Sequence, residues 1–329
     1  MAEGWLRATS AVLLLAACSG SGRERITIGM AHLPTFGLVF IAEAKGYFAA
    51  RGLTVEQRRF STGRDALAAL AAGQVEAATA YVTPIALRAT RGDLEVLTTL
   101  HTSSGSTRLV ARADRGISRA EDLAGKRIGV SHGTNAEYFL HTVLAYAGVE
   151  GAARIEDVTP EASVDALVHG EVDAIAIWPP HAERAVRMLG SGRAVEIRSD
   201  VYTEVSVLAT RDAPRRARRA AFVRLVAALA DAERLVREHP EEAFQALRGE
   251  FAEIGEAELR ETWGRIAPAL GITHELADVL EREAAWFHSR GRIAGPPFDV
   301  GTVLDPDVLA EVDAEAVTFV TPSRPKKPR

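Results

Sequence analysis

Two histidines and two aromatic residues stand at matching places in a repeated pattern. His32 follows Ile28-Gly29-Met30-Ala31 and His132 follows Ile128-Gly129-Val130-Ser131, an offset of 100 residues. Asp65-Ala66-Leu67 recurs as Asp165-Ala166-Leu167 at the same offset. Gly73-Gln74-Val75-Glu76-Ala77 recurs as Gly170-Glu171-Val172-Asp173-Ala174 at an offset of 97, which lays Tyr81 over Trp178. Paired imidazoles can hydrogen-bond an anion or coordinate a metal. Paired aromatics can sandwich a flat or apolar ligand and offer the Tyr O–H or Trp N–H as a polar handle. A repeated unit of this size predicts two similar lobes, with His32 opposite His132 and Tyr81 opposite Trp178 across a cleft.

The segment Ser131-His132-Gly133-Thr134-Asn135 joins a predicted strand to a predicted helix, and Thr134-Asn135-Ala136-Glu137 has the pattern of a capping box. Gly133 permits close backbone approach, and free N–H groups there can hold an anion or a carbonyl. Arg64 follows Ser61-Thr62-Gly63 at a helix start and suits a carboxylate or sulfonate. Phe36 in the first loop, Ser61, Thr83 beside Pro84, and Tyr202 complete the candidate set. A metal site needs three or four ligands. His181 is the one further histidine near these loops and no carboxylate cluster accompanies it, so neither a metal nor a cofactor is expected. The sequence holds no G-x-S-x-G, P-loop, HExxH or dinucleotide fingerprint, and no catalytic residue is assigned.

These residues must be held by a scaffold. Short β-rich runs at residues 26–30, 54–60, 75–80 and 94–100 alternate with helical stretches at 38–51 and 64–72, and the alternation restarts with strands at 126–131, 154–158 and 173–178. Such alternation predicts βαβ units and mainly parallel sheets, an α/β fold. In open sheets of this kind ligands bind beyond the carboxyl ends of the strands, where the candidate residues fall. From Pro214 onward the apolar spacing is helical.

The 329 residues suffice for two domains. Hydrophobic residues make up 47% and charged residues 25%, as in an ordinary globular protein. A net charge of −5 gives no footprint for nucleic acid. Cys18 is the single cysteine, which excludes an intrachain disulfide and a thiolate metal site. It follows Arg7, a short apolar stretch at 11–17, and small residues at the expected cut; Ser19-Gly20-Ser21-Gly22 comes next. The pattern reads as a secretory signal followed by a flexible tether. With Cys at the cut it resembles a bacterial lipoprotein signal, which implies lipid attachment at Cys18.

Three blocks then resemble the ABC-importer substrate-binding proteins of the nitrate/sulfonate/taurine type, a group that includes binders of thiamine pyrimidine precursors. The first is Ile41-Ala42-Glu43-Ala44-Lys45-Gly46-Tyr47-Phe48 with Gly52-Leu53-Thr54-Val55-Glu56. The second is Glu121-Asp122-Leu123-Ala124-Gly125-Lys126-Arg127-Ile128-Gly129-Val130 with Gly133-Thr134. The third is Ala166-Leu167, Gly170-Glu171-Val172-Asp173-Ala174 and Trp178. The resemblance implies a two-lobed periplasmic-binding-protein fold with two crossover strands and a C-terminal helical extension. The expected division is a signal at 1–17, a tether at 18–25, lobe I at 26–107 plus 207–315, lobe II at 108–206, and a disordered tail at 316–329. It further implies a monomer, anchored in the cell envelope only through its lipid, that passes a small organic or anionic solute to a permease and ATPase. Many relatives carry an acidic residue after the tryptophan; here Pro179 stands there, so no subgroup's ligand carries over. The alternatives are a pyrimidine-precursor enzyme on the same fold, for which the Cys-rich motif is missing, and a ligand-sensing lipoprotein without transport.

Overall fold

The computed structural model describes residues 23–88, 91–190, 192–295 and 299–319. The expected signal, Cys18 and most of the expected tether lie outside the described residues. Eleven strands form two sheets among them: β1 (Glu24–Ala31), β2 (Leu53–Phe60), β3 (Ala77–Tyr81), β4 (Glu95–Ser104), β5 (Arg108–Arg112), β6 (Arg127–Val130), β7 (Arg154–Asp157), β8 (Ala174–Ile177), β9 (Ala194–Ile197), β10 (Thr203–Thr210) and β11 (Ile266–Pro268). One sheet has the order β11-β4-β10-β3-β1-β2 and the other β7-β6-β8-β5-β9. Each contains three parallel strands, and each is extended by an antiparallel strand, β10 or β5, laid beside the third.

The repeat is a register. Ile28 and Gly29 pair with Ala77 and Ala78, and Ile128 and Gly129 pair with Ala174 and Ile175. The offsets of 100 and 97 are thus the spacing of equivalent strands. The acidic residue of the repeated Gly-x-Val-acid-Ala phrase ties the third strand's entry to the first strand in both lobes. Glu76 accepts from the Thr27 N–H at 3.1 Å while its own N–H donates to the Thr27 carbonyl; Asp173 does the same with Arg127, accepting at 2.9 Å. Gly29 and Gly129 are glycine because a side chain would press on the elements packed over the sheet. A Cβ would lie 3.1 Å from Phe60 in one case and 3.3 Å from Val158 in the other.

Each sheet has its own apolar core, one built on Ile26, Ile28, Leu67 and Val207, the other on Val110, Ile128, Val164 and Ile175. Leu33 and Trp286 pack against both. The chain crosses from β4 to β5 and returns from β9 to β10. The return comes earlier than the expected boundary of 206/207, because Thr203–Ser206 already pairs with β4. Likewise β1 begins at Glu24, inside the expected tether. The described start of the expected disordered tail is ordered: Thr318 and Phe319 donate their N–H groups to the Ile272 carbonyl, and Phe319 packs edge-on to His274. The helices Arg219–Glu238, Pro240–Glu250, Glu256–Gly264 and His274–Ser289 form the C-terminal extension, most of whose buried side chains join the core of the first lobe. Among the described residues, no helix is long and apolar enough to cross a membrane.

Candidate ligand-binding site

Between the two sheets lies a narrow cavity of about 20 Å³ lined from one lobe by Leu33, Phe36, Arg64, Tyr81 and Pro84 and from the other by Thr134, Asn135 and Trp178. Topology explains why these residues meet. Tyr81 closes β3 and Trp178 follows β8, so both stand at carboxyl ends of equivalent strands. Arg64 lies in the first turn of the helix Gly63–Ala71, and Asn135 opens the helix Asn135–Tyr146.

Several hydrogen-bonding groups at the cavity are unspent. Tyr81 and Trp178 are only 7% and 4% exposed, yet neither the Tyr81 hydroxyl nor the Trp178 indole N–H has a hydrogen-bond partner of good geometry. The Tyr81 hydroxyl lies near Thr35 and Glu204, and burial, with the Glu204 charge behind it, raises its pKa well above the usual phenol value, so it stays an O–H donor. The capping box expected at Thr134 is not formed. The Thr134 hydroxyl instead donates to the Ser131 carbonyl at 2.6 Å, and Glu137 reaches past the cap to accept from the Gly133 N–H at 2.6 Å. The first-turn N–H groups of Asn135 and Ala136 therefore keep the open, partly positive character of a helix start. Buried donors without acceptors are costly, and an oxyanion or carbonyl placed among them would satisfy them.

The lobes touch across this cavity. The Arg64 guanidinium donates to the His132 carbonyl, a contact between the first-helix start of one lobe and the first loop of the other. Gly133 makes the approach feasible. Its φ is +74°, and a Cβ there would lie 3.1 Å from Arg64 Cδ and 3.2 Å from Leu87.

Phe36, Arg64, Tyr81, Thr134, Asn135 and Trp178 of the expected set thus come together. The expected facing of His32 and His132 does not occur. His32 packs against Phe40 and Phe251, with ring centroids 5.2 and 4.7 Å away, and sits 3.7 Å from Glu250. Burial lowers its pKa. It opens with Ser61 onto a recess at one mouth of the cleft, where His181 lies across from it. The His132 ring turns to another recess, with His141, Trp286, Arg290 and Arg292. The backbone position of a loop follows from the repeat, but the ring goes where its own lobe offers packing. Among the described residues no group of three or more His, Cys, Asp or Glu is placed to hold a metal.

Thr83, Ser131 and Tyr202 lie behind the cavity rather than on its wall. The Tyr202 hydroxyl donates to Glu283 at 3.0 Å and sits 3.4 Å from Thr83 Oγ1. Glu283, fully buried, has its pKa pushed up to about 7 by burial. Glu204, 1% exposed, accepts from the Thr107 N–H at 2.7 Å and from Asn135 Nδ2 at 3.2 Å. Burial raises its pKa too. Neither carboxyl was among the expected site residues. Glu283 was detectable: with Leu276, Leu280 and Phe287 it falls on one helical stripe otherwise wholly apolar. Glu204 sits in a β-rich run with no such periodic mark.

The model of the NMT1/THI5 like family matches residues 33–243, more than half of the chain. The taurine-binding periplasmic protein of Escherichia coli (strain K12) is 32% identical over 160 residues, which cover 48% of this chain and 49% of that protein. The match therefore spans about half the length of that relative. The alkanesulfonate-binding protein SsuA from Xanthomonas axonopodis pv. citri, solved bound to MOPS, superposes with a TM-score of 0.72 at 18% identity, covering 85% of this chain and 98% of that one. The desulfurization enzyme DszB has the same fold, with a TM-score of 0.64 at 17% identity over 89% and 99% of the two chains. The periplasmic-binding-protein fold expected from the sequence is the fold observed.

Proposed function

The chain belongs to the NMT1/THI5-like family, and from that membership we propose that it is the solute-binding component of an ABC importer that captures a small organic anion between its lobes. One observation carries the reading: the Trp178 indole N–H is buried at the cavity without an acceptor, and it shares that cavity with Tyr81 from the opposite lobe. Arg64 and the uncapped start of the helix Asn135–Tyr146 add positive character to the same space. A sulfonate or carboxylate head suits such a set, and the taurine- and alkanesulfonate-binding relatives support the sulfonate class. The ligand binds the closed arrangement better than the open one and shifts the population toward it.

On this reading the protein is a monomer held to the membrane through lipid on Cys18, exposed on the periplasmic side, and presents its solute to a permease and ATPase. Binding rather than catalysis fits the wall of the cavity. The described residues that line it include no Cys, Lys, His, Asp or Glu, the groups that supply most nucleophiles and general bases. The DszB fold likeness leaves the enzymatic alternative resting on fold alone.

A melting series of the full chain against sulfonates, carboxylates, nitrate and pyrimidines tests the proposal. An authentic ligand at 100 times its Kd adds about 2.7 kcal/mol of stability, and calorimetry should return one site per chain. A panel in which no anion raises the melting temperature overturns it.

A further inference from the structure

Asn135 touches the cavity, yet its amide hydrogens are committed elsewhere. Nδ2 donates to Thr107 Oγ1 at 3.0 Å and to Glu204 Oε2 at 3.2 Å. Both acceptors are buried and fixed, Thr107 at 0% and Glu204 at 1% exposure, with the Thr107 N–H donating to Glu204 Oε1 at 2.7 Å. The Thr107 hydroxyl also lies against the Glu204 carboxyl as a donor. A carboxylate that accepts on both oxygens leaves the amide one orientation. Its N–H groups point toward Thr107 and Glu204, and its carbonyl oxygen, which bonds to no described residue, is left for the cavity.

That oxygen is out of keeping with its surroundings. Trp178 and the first turn of the helix Asn135–Tyr146 offer donors; Asn135 Oδ1 is an amide oxygen that can only accept. A ligand that is only an oxyanion would set oxygen against oxygen or leave Oδ1 unpaired on closure, and a buried acceptor without a donor carries a penalty. We propose that Asn135, oriented by Glu204 and Thr107, is a specificity-determining residue that selects anions bearing an amine, amide or ring N–H close to the anionic head. This rests on the anion-binding reading above. The Glu204 carboxyl, which accepts from Asn135 Nδ2, adds Coulombic attraction when it is ionised and the N–H belongs to an ammonium.

Calorimetry of the full chain with two matched pairs tests it: 2-aminoethanesulfonate against propane-1-sulfonate, and 3-aminopropanoate against butanoate. Within each pair the N–H-bearing member should bind about tenfold tighter or more. In Glu204→Gln the new amide accepts from the Thr107 N–H and donates to Asn135, so the Asn135 amide turns over and the preference falls to parity or below. In Asn135→Ala, whose fold is checked by circular dichroism, the ratio of affinities within each pair should also fall toward one. Equal binding within both pairs by the wild type overturns the inference and leaves the anion reading intact. So does a preference that persists undiminished in both variants. If no member of either pair binds the wild type, the sulfonate and carboxylate reading fails, and the inference falls with it.

Discussion

The duplicated part of the chain and the unduplicated C-terminal extension divide the labour. The duplicated strands place Tyr81 and Trp178 at equivalent ends, and both reach the same cavity. The extension breaks the equivalence of the two histidines. Phe251 and Glu250 draw His32 to one side, while Trp286, Arg290 and Arg292 stand beside His132 on the other. The extension also supplies one partner of each ion pair that joins it to the second lobe: Arg187 with Glu258 at 3.0 Å, Arg198 with Glu261 at 3.4 Å, Arg292 with Glu137 at 2.7 Å, and Arg290 with Glu150. A repeat therefore builds the chamber, and an added segment sets how the two halves meet.

The aromatics and the histidines should differ most in what their removal costs. Trp178→Ala should weaken binding of any ligand found by about 100-fold, since a desolvated aromatic anchor is lost, with Tyr81→Ala close behind. His32→Ala and His132→Ala should each stay within about threefold. Titration calorimetry of the four variants decides, and a histidine variant that loses more than Trp178→Ala would reverse the assignment.

A second, smaller effect probes the extension from within. The folded-state pKa of Glu283 is raised to about 7 from the usual 4.5. The folded protein then holds this proton where the unfolded chain has released it, so the contribution to stability is complete below pH 4.5 and is lost as pH rises through 7. His101, whose pKa is pushed down to about 3 by burial, has the opposite sign: its contribution is present above pH 6.5 and is lost as pH falls toward 3. The two slopes oppose each other between pH 4.5 and 6.5, so the falling limb due to Glu283 stands clear only above that range. Glu283→Gln should therefore gain on the wild type by about 1 kcal/mol between pH 6 and pH 8. Parallel urea titrations with no change in the difference would remove Glu283 as the source.

The smallest effect concerns the ion pairs between the extension and the second lobe. Exposed pairs contribute about 0.2–1 kcal/mol each, so Glu258→Gln should change affinity by no more than about fivefold. The change should shrink further at 0.5 M salt, where the Debye length is about half its physiological value. A change larger than that of Trp178→Ala would mean that closure, and not the chamber, dominates affinity.

Much of this was legible because the repeat constrains the main chain. Ile28-Gly29 and Ile128-Gly129 announce equivalent strands, and the loops after those strands follow. Side-chain destinations were less legible. His32 and His132 share a position in the pattern, but their rings answer to Phe251 and Trp286, which the repeat does not contain. Thr134-Asn135-Ala136-Glu137 has the composition of a capping box, yet the Ser131 carbonyl competes for the Thr134 hydroxyl, and Glu137 serves Gly133. Glu204 and Glu283 escaped because a buried carboxyl is recognisable only once its donors, distant in sequence, are in place.

The contact between Arg64 and the His132 carbonyl has a practical consequence. The bond uses the main chain of residue 132, while its side chain faces an outer recess away from the cavity. On the proposed closure of the lobes, a fluorescent label carried on that side chain would report the approach of the second lobe from outside the cavity, which makes position 132 an optical gauge with which to test it.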